Sequence, residues 1–189
     1  MENSYTETAT YVVADYGVPH SSRHMYTDKR RLRTFLERKY RYWTARAANV
    51  SQYVAAQRVL PDVIQWWDNN HRGLPPARLQ YSEEAEAIIW KFVGMGHDIA
   101  CEGFQDIFND ACRAWGILGS GRCAIQDGSK KPDKGHKPLN TRTRMEDRPT
   151  TVLEVGYSQS LNQLRCDAQH WLTWTRGTPA IACSTTAKR

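Results

Sequence analysis

The chain has 189 residues, of which 40% are hydrophobic and 11% aromatic, a size and composition that suit one folded domain and exclude a wholly disordered polypeptide. No run of eighteen apolar residues occurs, and the opening MENSYTETATYVVADYG has neither a basic start nor an apolar stretch. A membrane span and a secretion signal are therefore not expected, and the expected location is intracellular, cytoplasmic or nuclear. The net charge of +6 is segregated: nine Lys or Arg oppose Asp28 and Glu37 between Arg23 and Arg46, and seven oppose three acids from Lys130 to Arg148. Clustered cations of this kind suit a polyanion, because they release phosphate counterions on binding.

In chain order, residues 1–27 lack periodicity, contain Gly17 and Pro19, and read as a poorly ordered leader. From Thr27 or Asp28, either of which can cap a helix, Leu32, Phe35, Leu36, Tyr40 and Trp43 recur at helical steps with the arginines on the other side. A second helix is expected over Ser51 to Val59, and a third from Pro61 to Asp68, with Trp66 and Trp67 as packing residues. Asn69 to Gln80 is rich in Gly, Pro and Asn and reads as a connection, closing a basic helical region over 28–72. Ser82 is expected to cap a helix that opens with Glu83, Glu84 and Glu86 and continues through Val93, before Gly94 and Gly96 interrupt it. A further helix is expected from His97 to Trp115, capped by Gly116.

Beyond it the pattern turns strand-like, first over Arg122 to Gln126 and most clearly in TTVLEVGY, Thr150 to Tyr157. Ser158 or Ser160 then caps a last helix, Leu161 to Trp171. Gly177 ends it, and TPAIACSTT reads as a final strand. The fold class is α/β (α+β): a small core sheet flanked by helices, with a helical N-terminal part.

Two acids carry the chemical signal. Asp133 follows Pro132, and Glu154 stands inside an apolar strand, where a lone carboxylate is costly unless paired or bound to a cation. Two such acids on neighbouring strands can hold Mg²⁺, which activates water and stabilises charge on a phosphodiester. Zinc is not expected: five scattered cysteines without a CxxC pair, together with His24, His71, His97, His136 and His170, show no familiar ligand spacing. GILGSG lacks the lysine–serine pair of a phosphate loop and reads as a turn.

The run GSKKPD (Gly128 to Asp133), followed by PTTVLEVGYSQSLNQLRCDAQHWL (Pro149 to Leu172), resembles the core of the PD-(D/E)XK superfamily of restriction-endonuclease-like proteins. It is most similar to uncharacterised fungal members. The resemblance implies a nuclease-like domain over 81–189, with Asp133 and Glu154 as the motif acids of a metal-dependent phosphodiesterase using Mg²⁺ or Mn²⁺. It implies a third acid from the preceding helix, for which Glu102 is the first choice and His97 the second. The motif lysine position holds Gly156, so the cation would come from Lys130 or Lys131, or from Arg165. Nucleic-acid backbone contacts are expected from Arg30, Arg31, Arg33, Arg38, Lys134, Lys137 and Arg165. The alternative is a nuclease-fold protein without activity that binds nucleic acid or a protein partner.

Overall fold

Asp28 caps the first long helix, α1 (Lys29–Thr44), by accepting the Arg31 backbone N–H at 2.8 Å. The computed structural model describes residues 13–46, 50–111, 115–118, 123–125, 128–138, 140–144, 149–156, 160–174 and 181–186. These fall into two units, Met1–Val93 and Gly94–Arg189, both mixing helices and strands.

Within the first unit, β1 (Arg23–Met25) runs parallel to β2 (Tyr53–Gln57), which pairs antiparallel with β4 (Ala87–Phe92). β3 (Ala77–Ser82) pairs with the other edge of β4, so the order is β1-β2-β4-β3. α1 lays Leu32, Phe35 and Leu36 into the core, and its Tyr40 ring meets Phe92 edge-on at 5.4 Å. The next helix, α2 (Asp62–Asn70), buries Val63 and Trp67, whose ring lies 5.6 Å from Trp90.

Several sequence expectations are corrected here. The stretches expected to be helical around Ala55 and Ile88 are strands β2 and β4, and every residue of AIIWKF is buried. A central strand buried on both faces reads as a continuous apolar run, which periodicity cannot tell from a helix. Ser82 does accept the Ala85 N–H, but it caps a tight β3–β4 turn in which Glu86 adopts a positive φ of 44°. The leader is not loose beyond residue 12: Val13, Tyr16 and Val18 are buried, and Tyr16 Oη donates to Gln80 Oε1. The Asn69–Gln80 stretch lies inside the first unit, since the division falls after Val93.

The second unit opens with α3 (Met95–Ala111) and continues into β5 (Trp115–Leu118), so Trp115 and Gly116 belong to a strand and not to a helix end. β6 (Cys123–Ile125) pairs with β7 (Gly128–Lys130). β8 (Lys134–Pro138), β9 (Thr151–Gly156) and β10 (Ile181–Thr186) complete a sheet ordered β10-β9-β8-β5. β8 is antiparallel to both neighbours, and β9 reaches its parallel partner β10 through α4 (Leu161–Trp174). Ser160 and Gln163 form a reciprocal capping box at the start of α4. β8, with the sequence KGHKP, was not expected to be a strand. Its charges, glycine and proline hide a strand that its two neighbours enforce. Residues 1–12, Tyr157, Ser158, Gly177 and 119–122, which other expectations touch, lie outside the described residues. Among the described residues no helix is long and apolar enough to cross a membrane.

Candidate functional site

β9 places Glu154 between two apolar residues that face α3. Leu153 and Val155 pack with Cys101, Ala100 and Phe104 of that helix. Alternation along the strand turns Glu154 to the opposite face, where its Oε1 accepts the Trp171 Nε1–H of α4 at 2.6 Å. Lys130, at the end of β7, reaches the same place. Its Nζ lies 2.6 Å from Asp167 Oδ1, 3.9 Å from Glu154 Oε1 and 5.6 Å from the centre of the Trp171 ring. All four side chains are buried. Glu154 is thus a carboxylate whose cation is supplied from within, by a lysine shared with Asp167.

Asp133, in the bend before β8, belongs to the other face. Its Oδ2 accepts the Val155 N–H at 2.8 Å and lies 3.0 Å from His97 Nε2 of α3. The residue of the preceding helix that meets Asp133 is therefore His97, the second choice of the sequence reading. Glu102 is two-thirds exposed and pairs with Lys134 Nζ at 2.6 Å. Asp133, Glu154 and Glu102 each meet a different partner: His97, Trp171 and Lys134. The grouping of potential metal ligands found among the described residues is instead His97, Cys101 and Asp133, all buried. The sequence contained a signal for it: His97 and Cys101 are one turn apart in a stretch read as helical.

The expected nucleic-acid contacts also separate. Lys137 is buried and its Nζ donates to the Arg144 carbonyl, and Lys134 is engaged by Glu102. Both stand on strand β8, and not on the loop expected of them. Lys131 is half-buried and Arg165 is exposed on α4. On α1, Arg33 is occupied, pairing with Glu37 at 2.8 Å and donating to the Gly73 carbonyl at 2.9 Å. Arg30, Arg31 and Arg38 are exposed and, with Asp28, Thr34, His24 and Phe35, line an open concavity. Arg31 keeps only a long contact to Asp28 at 3.6 Å, and Arg30 and Arg38 make no ion pair among the described residues.

His24 stacks on Phe35 at 4.9 Å, and its Nε2 has no hydrogen-bond partner among the described residues. Burial holds this imidazole below its ordinary pKa; Asp28 opposes the shift, and Arg38 and Arg31 add to it. The guanidinium groups of Arg30, Arg31 and Arg38 outnumber the one carboxylate of Asp28 in this concavity, which makes it basic and suits an anion.

Comparison with known protein families, curated proteins and solved structures finds no match to this chain.

Proposed function

We propose that the protein binds nucleic acid through the outer face of α1, and that it does so without hydrolysing the backbone at Asp133 and Glu154. The observation that carries this reading is the concavity lined by Arg30, Arg31 and Arg38 around His24. Arg30, Thr34 and Arg38 recur every four residues, so they form one ridge whose spacing suits successive backbone phosphates. Contacts of that type position a strand without reading its bases. The resemblance of Gly128–Leu172 to restriction-endonuclease-like proteins supports the same class of partner. The loss of hydrolysis rests on Lys130, whose ammonium is held by Asp167 at 2.6 Å and lies 3.9 Å from Glu154, giving that acid a cation without a metal.

The test is to incubate the full chain with single- and double-stranded DNA and RNA in Mg²⁺ or Mn²⁺, beside a Glu154→Gln variant. Salt-sensitive binding with intact product is expected from both. Metal-dependent cleavage that disappears in Glu154→Gln would overturn the proposal and restore a phosphodiesterase.

One observation favours a second reading, a protein partner. Met95, Ile99 and Ile107 are 80%, 65% and 71% exposed and share one face of α3 at helical spacing. Absence of binding to every nucleic acid tested would favour it.

A further inference from the structure

The geometry points to a transition-metal site of the Zn²⁺ type, built from His97, Cys101 and Asp133. These residues offer one nitrogen, one sulfur and one oxygen, all lying within 4.8 Å of one another. His97 and Cys101 stand one turn apart on α3 and so share a face. Asp133 is fixed from the other side, its carboxylate held by the Val155 backbone N–H of β9.

The distances suit an ion. His97 Nε2 is 3.0 Å from Asp133 Oδ2, and Cys101 Sγ is 3.8 Å and 3.9 Å from the two ring nitrogens of His97. A tetrahedral Zn²⁺, with bonds of about 2.0–2.3 Å to oxygen, nitrogen and sulfur, separates its ligand atoms by about 3.3–3.6 Å. The observed separations bracket that range. Rotation of the Cys101 side chain closes the sulfur, and the oxygen and nitrogen open slightly to admit the ion.

The surroundings supply two further elements of such a site. Asp98 Oδ1 lies 3.3 Å from His97 Nδ1, so the ring can turn its N–H to a carboxylate and its Nε2 lone pair to the metal, as metal-bound histidines commonly do. Charge also balances. One thiolate, one carboxylate and a neutral imidazole cancel the two positive charges of the ion, which permits burial beside Leu153, Val155 and Phe104. On binding, the Cys101 thiol gives its proton to solvent as its sulfur takes the metal. A sulfur ligand with an imidazole selects Zn²⁺ or its neighbours over Mg²⁺, which demands oxygen. The fourth position falls to the second Asp133 oxygen or to water. This site lies on the α3 face of β9, away from Lys130 and Glu154, and does not rest on the nucleic-acid reading.

Co²⁺ titration of the chelator-treated full chain tests it, with Zn²⁺ then competing. The expected result is one tightly bound ion with the visible bands of tetrahedral cobalt and a thiolate charge-transfer band, displaced by Zn²⁺, with Cys101 protected from alkylation. Cys101→Ala, with its fold checked by circular dichroism, removes the charge-transfer band, and Asp98→Asn, an exposed change, weakens zinc binding by about tenfold or more. No cobalt binding, binding without the thiolate band, or a band that survives in Cys101→Ala would overturn the assignment.

Discussion

Trp171 Nε1 donates to Glu154 Oε1 across 2.6 Å, joining α4 to the middle of β9 in a buried environment. A carboxylate in an apolar strand needs such a donor, and removing the donor leaves a charge with less to compensate it. Trp171→Phe keeps most of the packing but loses the N–H. It is expected to destabilise the protein by about 1–3 kcal/mol in chemical denaturation. Glu154→Gln retains an acceptor for the indole and is expected to be milder than Glu154→Ala.

The Lys130–Asp167 pair, at 2.6 Å and buried, gives a second prediction. Asp167→Ala strands the ammonium beside Glu154 alone and is expected to cost about 3–5 kcal/mol. The double variant Lys130→Met, Asp167→Leu still leaves the buried Glu154 without its cation, whereas adding Glu154→Gln removes all three charges. The triple variant is therefore expected to recover a large part of that loss, and the double variant much less. Equal denaturation midpoints for Asp167→Ala and the unaltered chain would show that the pair contributes little.

His136 is buried against Phe108, with ring centres 4.3 Å apart, and neither ring nitrogen has a hydrogen-bond partner among the described residues. Burial, assisted by Lys134, lowers its pKa from the ordinary imidazole value of about 6.5. The folded state therefore holds the proton less tightly than the unfolded state. The stability that neutral His136 contributes is complete above about pH 6.5 and declines as the pH falls through the lowered folded-state value. Thermal denaturation is expected to show this decline, and His136→Phe is expected to flatten it. An unchanged pH profile in the variant would assign the decline to another group.

How far the sequence revealed this arrangement depended on what each residue touches. α1 was legible because Leu32, Phe35 and Leu36 face a core while the arginines face solvent, and so was β9, whose apolar run has turn residues on both sides. β2 and β4 were not, because burial on both faces erases alternation, and β8 was hidden by lysines that the sheet absorbs. Asp133 and Glu154 were rightly marked as unusual, both being buried. That each meets a different partner was not legible. It arises because Asp133 sits in a bend that aims its side chain at His97, whereas strand alternation turns Glu154 to Trp171. Lys130 and Asp167, distant in sequence, meet only through the crossover by α4.

If α1 holds a polyanion on Arg30, Arg31 and Arg38, as proposed, binding must weaken steeply as salt rises. Affinity for short labelled DNA and RNA, measured against salt concentration for the unaltered chain and for the triple alanine variant at those positions, gives the number of phosphate contacts. The slope of log affinity against log salt is expected to fall by about three in the variant, with affinity reduced at least tenfold at low salt. Identical slopes for the two proteins would show that these arginines make no phosphate contacts.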